Sequence, residues 1–206
     1  MSEPLFIALE GPRGSGKSTI APLLADALNA DLLPSVPAEY QPLRRYLDEH
    51  GRSPDARYAL FLSALLTAAD QIRERLERGR GVVVESYFAR AVATHRGYGS
   101  TLHVELPAHV PWPTIYRLEC DPAHRARRTA QRAKPDTWWD QLAERNSAAI
   151  DQAYTRFPAH RIDTTGRTPA QSLAEILAHK EACTCGHAQP LGLNPHLLPA
   201  VPRRAA

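Results

Sequence analysis

Cysteine and lysine are both scarce in this chain. Cysteine occurs only at Cys120, Cys183 and Cys185 in 206 residues, which excludes a disulfide framework. Lysine occurs only at Lys17, Lys134 and Lys180, although arginine is plentiful. There is no stretch long and apolar enough to span a membrane, and no secretory h-region. A net charge of +3 with dispersed arginines argues against a nucleic-acid partner. These absences predict a cytoplasmic protein. The 43% hydrophobic and 23% charged fractions are those of an ordinary globular domain, and the length suits one domain with a real core.

What is present begins at residue 11. Gly11-Pro12-Arg13-Gly14-Ser15-Gly16-Lys17-Ser18 fits G-x-x-x-x-G-K-[ST], the phosphate-cradling loop of nucleotide-binding proteins. Its setting supports the match. Leu5-Phe6-Ile7-Ala8-Leu9 before it reads as a buried parallel strand. From Thr19 to Leu28 after it, Ile20, Leu23, Leu24, Ala27 and Leu28 recur at helical spacing. The glycines let backbone N–H groups curl around anionic oxygens, and the helix N-terminus adds its dipole. Lys17 would reach the β- and γ-phosphates, and the Ser18 hydroxyl would ligand Mg²⁺. The predicted nucleotide-binding stretch is therefore Gly11 to Thr19. Pro22 falls inside the helix and should kink it, or cost about 3 kcal/mol if uncompensated.

Further apolar runs recur at α/β intervals. They are Asp31 to Val36, Gly81 to Glu85, Thr114 to Leu118 and Arg161 to Asp163. A long helix is predicted over Ala56 to Arg78, with Ala59, Leu62, Leu65, Leu66, Ala69, Ile72 and Leu76 on its apolar face. Another is predicted over Thr137 to Phe157, and Thr168-Pro169-Ala170-Gln171 opens the last with a capping box and proline at its first position. Strands alternating with helices imply an α/β fold: a five-stranded parallel sheet, helices on both faces, ligands at the carboxyl ends of the strands. Residues 1–180 are assigned to this domain. Residues 181–206, with four prolines, read as a loosely ordered tail. Cys183, Cys185 and His187 in that tail resemble half a zinc site, but the spacing is too tight and no second half appears.

On these residues the chain resembles the thymidylate kinase family and its kin, the deoxynucleoside kinases, from about Leu5 to Leu177. Phe6 to Gly11 looks like the family's opening strand, including the glutamate before the loop. Glu85-Ser86-Tyr87 stands where the family has an acidic-Arg-Tyr motif. The segment from Leu118 to Arg132 is similar to a fourth strand leading to an arginine-bearing lid. The resemblance implies transfer of the γ-phosphoryl group of ATP, with Mg²⁺, to a small acceptor, and catalysis by positioning and charge neutralisation. Lys17 would hold the donor phosphates. Glu85 would act on Mg²⁺, directly or through water, or on the acceptor hydroxyl. Arg128 and Arg132, with Arg125 and Arg127, would close the lid. Family members often pair through helices beside the third strand, which implies a homodimer.

The departures from the family concern the acceptor. Arginines that grip the acceptor's phosphate are replaced here by Ala38, Gln71 and Ser86, with Arg44, Arg45 and Arg90 nearby as substitutes. Arg13 stands where thymidylate kinases usually carry aspartate, and it would serve as a built-in arginine finger. Glu39 matches the proton-accepting glutamate of the deoxynucleoside kinases. Tyr40, Phe61, Tyr87 and Tyr98 are candidates for a wall against the acceptor, with Arg44 and Arg90 as its cations. The leading expectation is a thymidylate-kinase-like phosphotransferase. Its alternatives are a kinase of an unphosphorylated hydroxyl metabolite and a regulatory nucleotide-binding protein, the latter disfavoured because no Asp-x-x-Gly follows the third strand.

Overall fold

The computed structural model describes residues 4–131 and 136–184, the last four by backbone alone. The first strand, β1 (Phe6–Glu10), is buried along its whole length, as a strand covered on both faces must be. Around it lies a five-stranded sheet in the order β2-β3-β1-β4-β5, with β2 at Asp31–Leu33, β3 at Val82–Glu85, β4 at Thr114–Glu119 and β5 at His160–Asp163. All pairings are parallel, and the register sets Leu9 beside both Glu85 and Tyr116. The carboxyl ends of β1, β3 and β4 thus open on the same edge, where an α/β sheet places its ligands.

The helices form two layers. On one face, α1 (Lys17–Ala27) and α8 (Pro169–Thr184) pack over Ile7, Leu9, Tyr116 and Leu118. On the other, α3 (Pro54–Glu77) and α4 (Phe88–Gly97) cover Phe6, Ala8, Val82 and Val84, and α7 (Ser147–Tyr154) covers Ile115. Three shorter helices, α2 (Gln41–Glu49), α5 (Pro122–Ala130) and α6 (Trp138–Arg145), ring the strand ends.

Helix α1 runs through Pro22 without breaking. Pro22 and Ser18 are both exposed, so water can satisfy the carbonyl that proline leaves unpaired. The single helix expected from Thr137 to Phe157 is instead α6 and α7, divided at Asn146. The Asn146 amide donates to the Leu142 carbonyl at 2.9 Å, and such local bonding favours a break over a continuous turn. The apolar face of α3 is also rotated from the expected one. Tyr58, Ala64 and Ala68 are buried beside Leu65, Ala69 and Ile72, while Ala59 and Leu66 are exposed. The expected capping box forms at α8, with Gln171 N–H donating to Thr168 Oγ1 and Thr168 N–H to Gln171 Oε1. The backbone of α8 continues to Thr184, four residues past the boundary expected at 180. The side chain of Cys183, together with Cys185, His187 and the rest of the proline-rich segment, lies outside the described residues.

Candidate active site

The loop between β1 and α1 has the conformation its glycines require. Gly11, Gly14 and Gly16 have φ of +134°, +81° and +101°, values that side chains rarely permit. At Gly11 there is also no room: a Cβ would stand 2.3 Å from the Leu118 carbonyl oxygen. The buried Lys17 Nζ donates to the Gly11 and Pro12 carbonyls at 2.9 Å each. A narrow cradle of backbone N–H groups at a helix N-terminus suits phosphate oxygens. Among the described residues no cluster of three or more His, Cys, Asp or Glu could hold a metal by itself. Mg²⁺ bound mainly through phosphate oxygens, with the exposed Ser18 hydroxyl as a protein ligand, fits that donor set.

Two arginines of α5 share the face turned toward this loop. Arg125 donates to the Arg13 carbonyl at 3.3 Å and forms a forked pair with Glu144 of α6. Arg128 reaches the Gly14 carbonyl at 3.4 Å and the Thr164 carbonyl at 2.8 Å, bracing the loop against the end of β5. Arg132, the other lid candidate, lies outside the described residues. Arg13 itself is ion-paired with Asp136, and with Asp140 at 3.4 Å, at the start of α6.

Glu10, the last residue of β1, is wholly buried on the α4 and α7 side. Its Oε1 accepts from the Tyr87 N–H at 2.8 Å and the Arg90 N–H at 3.4 Å, so it caps α4 from another strand. Its Oε2 accepts from the Tyr154 hydroxyl at 3.0 Å. Burial raises its pKa to about 7, against the opposing pull of these hydrogen bonds and of Arg90 and Lys17. Arg90 completes the link by donating to the Gly11 carbonyl at 2.7 Å. The loop and the helices opposite it are therefore joined through one carboxyl group.

Beside the loop lies a cleft of about 850 Å³, reaching from Pro12 and Arg13 past Glu85 and Ser86 to the inner faces of α3 and α4. Ser86 has φ of +71°, an uncommon conformation for a non-glycine residue. Of the predicted acceptor residues, Arg44, Phe61, Tyr87, Arg90 and Tyr98 line this cleft, as does Glu85. Glu39 is exposed on a 3-10 turn outside the lining, and the Tyr40 hydroxyl is engaged with Ser63 and Thr67. Arg45 is exposed and also outside it.

The cleft wall contains residues that sequence patterns did not single out. Arg57 of α3 donates to Asp48 of α2 at 2.9 Å and to His95 Nε2 of α4 at 3.3 Å. Its guanidinium sits over the Phe61 and Trp139 rings, 4.5 and 4.9 Å from their centroids. Burial, and then Arg57, lowers the His95 pKa to about 3, so this histidine is a neutral acceptor. Trp139 Nε1 donates to the Leu47 carbonyl, and the Tyr98 hydroxyl to the Trp139 carbonyl. Helices α2, α3, α4 and α6 are thereby fixed around the cleft. An arginine in an otherwise ordinary helical stretch carried no signal of this. Glu10 entered the sequence reading only through the family resemblance, although a charged residue closing the all-apolar β1 was a signal that could have marked it.

The fold and the loop define a P-loop α/β domain of the nucleotide-binding kind. Residues 6–160 match the AAA domain family, and the chain belongs to that family. It is 35% identical over 107 residues to the thymidylate kinase of Roseiflexus sp. (strain RS-1), a match covering 46% of each chain, so it spans about half that relative's length. It is 27% identical over 187 residues to the probable thymidylate kinase of Pyrobaculum calidifontis, covering 84% of this chain and 94% of the relative. Among solved structures, thymidylate kinase from Candida albicans superimposes with a TM-score of 0.70 at 17% identity, over 91% of this chain and 96% of that one. Deoxyadenosine kinase from M. mycoides with bound dATP gives 0.61 at 16%, over 86% and 100%. At such identities the structural likeness concerns the fold. No helix among the described residues is long and apolar enough to cross a membrane.

Proposed function

We propose that this protein transfers the γ-phosphoryl group of ATP, bound with Mg²⁺, to a nucleoside or nucleoside monophosphate held in the cleft. The observation that carries this reading is the adjacency of the phosphate loop to that cleft, with Glu85 in its lining. Lys17 holds the β- and γ-phosphates. Arg13 and Arg128, both beside the loop, would turn to the transferring group from their partners in this structure, and Arg132, outside the described residues, is a candidate from the sequence alone. The acceptor oxygen bonds to Pγ as the β,γ-bridging P–O bond breaks, and ADP leaves with the electron pair. Where the acceptor is a hydroxyl, its proton passes to a carboxylate, for which Glu85 is better placed than the exposed Glu39.

Ser86 favours a second reading within the same chemistry. It lines the cleft where the resembling family has an arginine, as Ala38 and Gln71 also replace arginines. An acceptor with a free hydroxyl and no phosphate suits that loss. A coupled ADP-release assay across thymidylate, other monophosphates, nucleosides and amino-sugar or alcohol acceptors separates these readings. Turnover confined to acceptors without phosphate supports the second reading, and turnover of monophosphates refutes it. ADP release unaffected by any acceptor would refute both.

A further inference from the structure

Buried polar atoms without a hydrogen-bond partner are rare and costly. Among the described residues there are five: Arg57 Nε, Tyr87 Oη, Thr94 Oγ1, Arg117 Nε and Glu175 Oε2. All but Glu175 belong to residues that line the cleft. Arg117 Nε has Glu119 at 3.8 Å, and Glu175 has Arg167 beside it. The other three atoms lie on α3, on α4 and at the N-cap of α4, where the inner wall is formed.

Thr94 is the most telling of them. A threonine within a helix commonly bonds its hydroxyl to the carbonyl one turn back. Thr67 does so with Ser63 at 3.2 Å, and Thr129 with Arg125 at 3.0 Å; neither lines the cleft. Thr94 does line it, is 5% exposed, and makes no such bond.

Its surroundings define what it could meet. Thr94 stands one helical turn beyond Arg90 on α4. Phe61, Leu65 and Ala91 supply apolar lining, and Tyr98 adds a second aromatic surface. The nearby cations are already engaged: Arg57 and Arg44 share Asp48 at 2.9 and 3.6 Å, and Arg90 is bonded to the loop carbonyl. Around Thr94 itself the apolar and aromatic lining suits a planar group with a hydrogen-bonding edge.

We propose that Thr94 is a specificity residue that reads the hydrogen-bonding edge of a neutral planar heterocycle, such as a nucleobase, on the acceptor. This rests on the reading of the cleft as the acceptor site, and it commits the buried end of the acceptor to a nucleobase whether or not its other end carries phosphate.

The test is calorimetric binding of thymidine, deoxycytidine, deoxyadenosine and deoxyguanosine and of their 5′-monophosphates, without a phosphoryl donor, to the parent protein, Thr94→Val and Thr94→Ser. Each free protein is also melted. At least one nucleoside or monophosphate should bind the parent, and Thr94→Val should weaken it about five- to tenfold, the worth of one hydrogen bond. Thr94→Ser should restore the affinity to within about twofold. Free Thr94→Val should melt at or above the parent temperature, because valine removes an unpaired buried hydroxyl. Equal nucleoside or monophosphate affinity in the parent and Thr94→Val would overturn the proposal, with or without a lowered melting temperature. So would failure of all four nucleosides and all four monophosphates to bind. Phosphoryl transfer is not read here, so loss of the kinase reading and loss of the Thr94 assignment are separate results.

Discussion

The two sides of the proposed active site, one for the donor and one for the acceptor, are built in opposite ways. The donor side is one continuous stretch from Glu10 to Ser18, whose shape follows from glycine conformations and a strand-to-helix turn. The acceptor side is assembled from α2, α3, α4 and α6, held by Asp48, Arg57, His95 and Trp139 across segments distant in sequence. A contiguous loop tolerates little change, because each residue has one role in one geometry. An assembled wall can exchange residues while keeping its architecture, which suits a fold that serves different acceptors. Glu10 belongs to both sides, being covalently part of the loop and hydrogen-bonded to α4 and α7.

The contrast breaks most readily at the loop. Lys17→Ala should lower ADP release about a thousandfold or more with every acceptor, because it removes the cation on the transferring phosphate. Retained activity in the coupled assay would mean that the loop is not the donor site. Gly11→Ala should come next, destabilising the fold by roughly 2–4 kcal/mol, since the new methyl meets the Leu118 carbonyl at an unfavourable φ. An unchanged denaturation midpoint would show that the loop can shift and is less rigid than described.

Glu10→Gln tests the junction between the two sides. Burial raises the Glu10 pKa from 4.5 to about 7, so between those values the folded protein keeps a proton that the unfolded chain has lost. The contribution of this group to stability is therefore complete below pH 4.5, falls as pH rises, and levels off above about pH 7. Glutamine does not ionise, so the melting temperature of Glu10→Gln relative to the parent should climb through that window and then flatten. A constant difference across the window would mean that the buried carboxyl titrates normally.

Arg13→Ala should have the smallest effect on folding. Its ion pairs with Asp136 and Asp140 lie at the protein surface, the former carboxylate being 57% exposed, and should be worth less than about 1 kcal/mol. A fall in turnover far exceeding the change in melting temperature would mark Arg13 as a working part of the donor side. Equal small changes in both would leave it as a surface contact.

The legibility of the sequence follows the same division. The β1–loop–α1 unit, the parallel sheet and the capping box of α8 were readable because each depends on neighbours in the chain. The cleft lining at Arg44, Phe61, Tyr87, Arg90 and Tyr98 came through resemblance rather than periodicity. The break at Asn146 was hidden because its flanking residues keep a helical pattern. Arg57 and Thr94 were unreadable for a different reason: neither residue type nor spacing records which side chains from α2, α4 and α6 will surround them.

The sequence alone determined the phosphate loop and the alternation of strands and helices, since backbone conformation and hydrophobic period are local properties. Tertiary structure decided how the acceptor cleft is walled, that Glu10 is buried between loop and helices, and that the Thr94 hydroxyl lacks a partner. Burial and hydrogen-bond satisfaction depend on what other segments bring, and only the folded chain brings them together.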